Sequence, residues 1–251
     1  MTPMFYAMFF IFGTVVGSFL NVLIYRIPLK QDFVKMRSHC MNCGYELKPY
    51  DLVPVLSYIA LGGKCRKCKT RLSVQYPLIE LLNGCLWLLT SIVYEGSYKT
   101  FIYCMCFSAL IALSVIDFRT YEIPIGFSIF IFVFGIISLF FDYNNWADHG
   151  IGLVCVSGFL LILYLLSRGR AIGGGDIKLM AACGLLIGWK SIILAFLLGC
   201  IIGSVIHLLR MKISNESHVL AMGPYLSAGV IIAALWGDRM INWYINMWSV
   251  V

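Results

Sequence analysis

Asp117 closes the apolar run Phe101–Ile116, and Asp176 follows Gly173-Gly174-Gly175 at the head of a second apolar run. Acids at the ends of membrane-length segments are costly to desolvate, and they mark chemistry or ion traffic. Two carboxyl groups held close together share one proton over a useful pH range. The ionised member can take a proton from water while the protonated member polarises a peptide carbonyl. That is peptide hydrolysis of the aspartic-protease type, and it needs neither metal nor serine. Asp176 lies near an expected helix N-terminus, whose dipole favours the anion, and Asp117 near a C-terminus, which disfavours it. Asp176 is therefore expected to serve as base and Asp117 to hold the proton, with the pair titrating as one unit.

Taken singly, each acid also fits a structural role: Asp176 as a helix cap, Asp117 as the partner of Arg119. The three glycines favour chemistry, because they cost backbone entropy and give no side-chain packing, yet they let an extended substrate come close. Gly173, Gly174, Gly175 and Lys178 are the candidate substrate-binding residues. A dinucleotide fingerprint is disfavoured, since Lys178 stands where the third glycine belongs and no βαβ pattern surrounds it.

A second chemistry resides in Cys40-x-x-Cys43 and Cys65-x-x-Cys68. Each pair suits a tight turn, and four thiolates suit tetrahedral Zn²⁺. Two disulfides or redox-active thiols are the alternatives, and a reducing compartment disfavours disulfides. A loop this small needs such a staple. The remaining cysteines (Cys85, Cys104, Cys106, Cys155, Cys183, Cys200) fall in apolar segments and read as packing residues.

The elements that position these residues are membrane helices. Of 251 residues, 61% are hydrophobic and 12% charged, against about 25% charged in soluble domains. About eight apolar segments recur: Met4–Tyr25, Tyr76–Tyr94, Thr100–Ile116, Ile123–Phe141, Gly150–Ser167, Ile177–Trp189, Ser191–Leu209 and Val219–Trp236. The fold class expected is an all-α polytopic membrane protein of about eight transmembrane helices, with a small four-cysteine loop, residues 28–76, between the first two. No basic residue precedes the first run, so it reads as a retained span with its N-terminus outside rather than a cleaved signal.

Alternating the spans puts Arg26, the basic residues of the loop, Arg119, Arg168, Arg170, Lys178, Arg210 and Lys212 inside. Only Lys99, Lys190 and Arg239 of the 19 basic residues fall outside. That is a strong positive-inside bias. The net charge of +7 thus reads as topology and contact with anionic lipid rather than nucleic acid. Both acids fall on the cytoplasmic side. The sixth segment is too short for a standard bilayer, so its glycine stretch is expected below the membrane surface, among other helices.

Taken in order, the motifs resemble those of type IV prepilin peptidases (leader peptidase/N-methyltransferases), membrane aspartic proteases of the GxGD type. Gly17-Ser18-Phe19-Leu20-Asn21-Val22 and Tyr25-Arg26-Ile27-Pro28 are similar to the family's N-terminal signature. Arg37–Gly44 and Gly63–Cys68 resemble its four-cysteine loop, and Tyr76–Leu82 the segment that follows. Asp117 with Ile123-Pro124, and Gly173-x-Gly175-Asp176 with Lys178, look like its catalytic motifs. Gly223-Pro224-Tyr225 resembles the signature before the last helix.

The resemblance implies two reactions. One cleaves the basic leader of prepilin-like proteins on the cytoplasmic face of the inner membrane, with Asp117 and Asp176 catalytic. The other N-methylates the exposed amine with S-adenosylmethionine. It also implies a division into residues 1–94, associated with methyl transfer, and 95–251, the peptidase core. Gly174 departs from the pattern, where a larger residue is common, and is expected to loosen the loop.

For methyl transfer the candidates are Asn21, Arg26, Glu80 and Asn83, polar residues near the cytoplasmic ends of the first two spans. Glu80 could instead pair with Arg26 or Arg71. His207 reads as a packing residue, and the aromatic tail Trp243–Trp248 as an interfacial anchor. Two rivals are weighed. An intramembrane protease is disfavoured by the cysteine loop. An ion-coupled transporter is disfavoured because only one segment is broken by glycines and no second copy matches it.

Overall fold

The computed structural model describes residues 2–170, 172–214 and 220–249, with the side chains of Ser214, Trp248 and Ser249 outside the description. Within them every named element is helical: α1 (Pro3–Arg26), α2 (Leu56–Ala60), α3 (Gln75–Tyr94), α4 (Tyr98–Thr120), α5 (Ile125–Phe141), α6 (Trp146–Leu166), α7 (Gly174–Ile187), α8 (Trp189–Ser214) and α9 (Gly223–Ser249), plus two short 3₁₀ turns. Where lipid surrounds the chain, backbone groups must be satisfied within the segment, and the helix achieves this. A helix covers each of the eight apolar runs, although the start of the last, Val219, lies outside the described residues.

Among the described residues, five stretches are long and apolar enough to cross a membrane: Pro3–Arg26, Gln75–Tyr94, Tyr98–Thr120, Tyr143–Leu166 and Trp189–Ile213. α5 is apolar but shorter at 17 residues. α7, at 14 residues, spans about 21 Å, short of a ~30 Å hydrocarbon core.

The chain forms two compact units, Met1–Ala112 and Leu113–Val251. In the first, α1 packs against α3 across small residues. A Cβ on Gly13 would meet Trp87 Cβ at 2.8 Å, one on Gly17 would meet Glu80 Cα at 2.8 Å, and one on Gly84 would meet Thr14 Cγ2 at 2.6 Å. Without side chains there the backbones approach closely, which is how helices associate when lipid offers no hydrophobic drive. Asn83 fastens the pair, donating to Gly13 O at 2.7 Å and accepting from Ser108 Oγ at 2.8 Å, while Trp87 Nε1 donates to the same hydroxyl at 2.8 Å.

In the second unit α7 lies against α5 and α6, and α8 against α9. α6 crosses α7 where Gly152 and Gly184 each sit on the other's carbonyl. Buried His149 on α6 meets Leu185 O on α7 at 2.8 Å. Gly188, at φ +79°, turns α7 directly into α8. His207 is half-buried on α8, and the residues expected as a separate aromatic tail continue α9, with Trp243 and Tyr244 exposed.

Candidate active site and metal centre

Asp117 lies in the last turn of α4, before the chain turns at Tyr121 (φ +56°). Its side chain is buried, and its Oδ2 accepts the Gly223 N–H at 2.9 Å, at the first residue of α9. Asp176 occupies the third position of α7, half-buried. The cap itself is Gly173, whose N–H faces the Asp176 carboxylate. Each acid is therefore pinned by the N–H of a glycine at the start of a helix, where donors have no helical partner. Asp176 Oδ1 is buried with no hydrogen-bond partner, and the two carboxyls are near enough to interact.

The expected flexible glycine stretch is mostly helix: Gly174 and Gly175 form the first turn of α7. Gly173 and Gly174 are exposed, with open space where a Gly174 side chain would stand. Gly175 carries Ile123, whose Cβ would lie 2.9 Å from an added Cβ. The Ile123-Pro124 motif after Asp117 thus docks on the glycine motif before Asp176. Lys178 is exposed on α7.

In the loop, the Sγ atoms of Cys40, Cys43, Cys65 and Cys68 all lie within 4.8 Å of one another. Cys40–Cys68 and Cys43–Cys65 are 3.8 and 4.0 Å apart. Thiolates about 2.3 Å from a tetrahedral zinc stand about 3.8 Å apart, whereas a disulfide needs about 2.05 Å. The donor set fits a metal, and all four thiols are free at a spacing that is not a disulfide's.

The two halves are one motif used twice. Cys40 N–H donates to Tyr45 O and Cys65 N–H to Thr70 O. Gly44 N–H donates to Cys40 O and Lys69 N–H to Cys65 O. Isolated antiparallel bridges, His39 with Glu46 and Lys64 with Arg71, close each knuckle. The N–H groups of Cys43 and Asn42 face the Cys40 sulfur and hold its thiol below the usual range. The Thr70 hydroxyl and N–H, with Asn42, hold Cys68 down at about 5. Both shifts favour the thiolate a metal requires. At Cys43 the Tyr45 N–H, which lowers the thiol, is outweighed by desolvation and the sulfurs of Cys68, Cys40 and Cys65 together, which push it up to about 11.

Of the four methyl-transfer candidates, two keep acceptors available. Asn21 donates to Gly17 O and Tyr76 O, leaving Oδ1 buried and unpartnered. Glu80 is buried and makes neither expected ion pair. It accepts the Val55 N–H at 2.7 Å, and the Ser18 hydroxyl also hydrogen-bonds it. Gly17 and Asn21 sit one turn apart on α1, as do Tyr76 and Glu80 on α3, so the two acceptors occupy successive rungs of one interface. Arg26 gives its guanidinium to the carbonyls of Asp32, Met36 and Arg37, tying the loop to the end of α1. Asn83 spends its amide on Gly13 and Ser108.

The Gly223 donor and the Val55–Glu80 contact were not anticipated from residue types. Gly-Pro at the head of α9 was the only signal for the first. Nothing local signals the second.

The sequence matches two family models: the Bacterial Peptidase A24 N-terminal domain over residues 11–94, and the Type IV leader peptidase family over residues 104–208. Among curated relatives, the prepilin leader peptidase/N-methyltransferase of Bacillus subtilis is 33% identical, covering 95% of this chain and 97% of the relative. Proteins of the same name from Pseudomonas putida and Aeromonas salmonicida are 32% and 28% identical. They cover 92% and 97% of this chain, and 90% and 94% of their own lengths. No solved structure matches. The ion-coupled transporter reading finds no support among these relatives.

Proposed function

The chain belongs to the type IV leader peptidase family, and from that premise we infer that it removes the leader of prepilin-like proteins and then N-methylates the residue so exposed. Asp117 and Asp176 carry the first reaction. A water between the carboxyls gives a proton to the ionised one, here Asp176, and its oxygen attacks the scissile carbonyl. The proton held by Asp117 goes to the carbonyl oxygen. Collapse breaks the C–N bond: the departing amine takes a proton from Asp176 while a hydroxyl of the diol returns one to Asp117, so the pair ends as it began. The observation that carries this reading is the matched pinning of both acids by helix-start N–H groups, with Asp176 Oδ1 left without a protein partner. Gly173, Gly174 and Lys178 line the approach of the substrate, and Gly175 fixes the register of the two motifs.

For the second reaction, Asn21 and Glu80 present acceptors to the cationic methyl donor or to the substrate amine, while Arg26 and Asn83 hold the scaffold. S-adenosylmethionine supplies a methyl group on a positively charged sulfur. Transfer would break the S–CH₃ bond, leaving a neutral thioether, and the methylated nitrogen would release a proton, for which Glu80 is the proposed acceptor. Residues 1–94 form the methyl-transfer region and 95–251 the peptidase core. Zinc held by Cys40, Cys43, Cys65 and Cys68 cross-links the loop and takes no part in either reaction. Eight spans, an outside N-terminus and a cytoplasmic active site follow from the distribution of basic residues.

Purified protein, a prepilin and methyl donor in detergent, read by mass spectrometry, report leader loss and gain of one CH₂ separately. Asp117→Asn and Asp176→Asn are each expected to cut cleavage about a thousandfold or more while a pre-cleaved substrate is still methylated. Cleavage surviving both substitutions ends the two-aspartate reading.

A further inference from the structure

The cysteine loop contains a stretch unlike the rest of it. From Pro49 to Gly63 the only charged residue is Asp51, which is buried and held by Arg66 at 2.7 Å. Its large apolar side chains are mostly turned outward: Leu56 is 66% and Ile59 67% exposed, with Tyr50, Leu52 and Val53 exposed beside them, while Val55, Tyr58 and Leu61 are half-buried. Two basic groups border the patch at Tyr50, the ammonium of Lys48 and the guanidinium of Arg66 both lying over its ring.

The depth of this stretch is fixed by one bond. Val55 N–H donates to Glu80 Oε2 at 2.7 Å, and Glu80 is the sixth residue of α3, itself long and apolar enough to span. Five residues of helix put the contact about 7 Å inward from the start of α3. At Val55 (φ +61°, ψ −51°) the backbone reverses in a strained γ-turn closed by Leu56 N–H on Pro54 O. A β-branched residue adopts that conformation only where its surroundings impose it. Around that depth α3 exposes Leu78, Leu81 and Leu82, the apolar surface that a spanning helix turns to lipid.

We propose that residues Leu52–Ile59 form a membrane-dipping hairpin whose apolar tip, Leu56 and Ile59, sits in the acyl–headgroup boundary of the inner leaflet. Its occupant is bilayer lipid. The patch meets α3 at the depth where that helix also exposes leucines, Tyr50 with Lys48 and Arg66 supplies the interfacial rim, and the depth matches that of interfacial segments. The notched turn at Val55 lets the chain descend along α3, meet Glu80 and return through α2.

The test places a fluorescent amino acid at Ile59, or at Leu56 as a second site, in protein reconstituted into nanodiscs. A control probe stands at Met41, exposed on the first knuckle. Preparations are used only if they retain one zinc per chain, which shows the loop is folded. Lipids brominated high on the acyl chain are expected to quench the Ile59 and Leu56 probes about threefold or more above the Met41 probe. Aqueous iodide should give the reverse order. Iodide reaching Ile59 as readily as Met41 overturns the proposal. So does a probe spared by brominated lipid but shielded once a prepilin is added, which would make the patch a protein-docking surface.

Discussion

Gly223 stands where a side chain would crowd one of the proposed catalytic carboxylates: a Cβ there would stand 2.6 Å from Asp117 Oδ2. Gly223→Ala is therefore expected to push the carboxylate away from its donor. Losing or displacing one aimed donor costs on the order of a hundredfold in rate. Cleavage should fall by about that much, with methylation of a pre-cleaved substrate unchanged, as mass spectrometry of both products would show. The glycines beside Asp176 separate in the same way. Gly174 has open space around it, so Gly174→Ala should leave cleavage within about twofold. Gly175→Ala puts a Cβ 2.9 Å from Ile123 Cβ, and the required shift between the two motifs should cost about tenfold or more. A reversed ranking would mean that the glycine stretch acts through backbone freedom rather than through its contact with Ile123.

At the scale of elements, the two knuckles offer an internal comparison. Gly44 and Lys69 hold corresponding places after the second cysteine of each pair, at φ +67° and +60°. A side chain in that left-handed region costs about 1–2 kcal/mol, and glycine returns about 0.5–1 kcal/mol of that through the entropy of the unfolded chain. Lys69→Gly should stabilise the folded loop by about 0.7 kcal/mol, and Gly44→Ala, with nothing within 4 Å to clash, should destabilise it by a similar amount. Because folding and metal binding are coupled here, zinc affinity should rise or fall about threefold, measurable by competition with a chelator. This repeat was legible in the sequence only as paired cysteines. The Gly44 turn could be read from its residue type, whereas Lys69 hides the same turn behind a side chain that does not advertise it. The helices were legible because an apolar run leaves the backbone no alternative in lipid. Asp117 and Asp176 were legible because charge is rare there. Gly223 on Asp117 joins residues 106 apart in the chain, and Val55 on Glu80 joins residues 25 apart. Neither is set by local pattern, so only the folded chain reveals them.

Over the whole molecule the residues proposed for the two chemistries fall in different units. Asp117, Asp176, Gly223 and Ile123 fall within Leu113–Val251, while Asn21, Glu80 and the four cysteines fall within Met1–Ala112. The division follows the two family matches, residues 11–94 and 104–208. If each unit holds its own reacting groups, damage should be separable. Glu80→Gln keeps size and can still accept the Val55 N–H through its amide oxygen, but it loses the charge that faces a cationic donor. Methylation should drop at least about tenfold, as for other charged hydrogen-bond partners, while cleavage stays within about twofold. Cys40→Ser with Cys68→Ser removes two of four metal ligands and frees the loop that carries Val55. Zinc should be lost, trypsin should reach Lys64 and Lys67, and methylation should fall with Glu80's clamp. Cleavage, resting on carboxylates pinned by Gly173 and Gly223, should fall less. Equal loss of both activities in Glu80→Gln would mean that one site serves both reactions. The cysteine pair alone cannot decide this, since an unfolded loop could obstruct either step, so the single-atom change at Glu80 is the discriminating measurement.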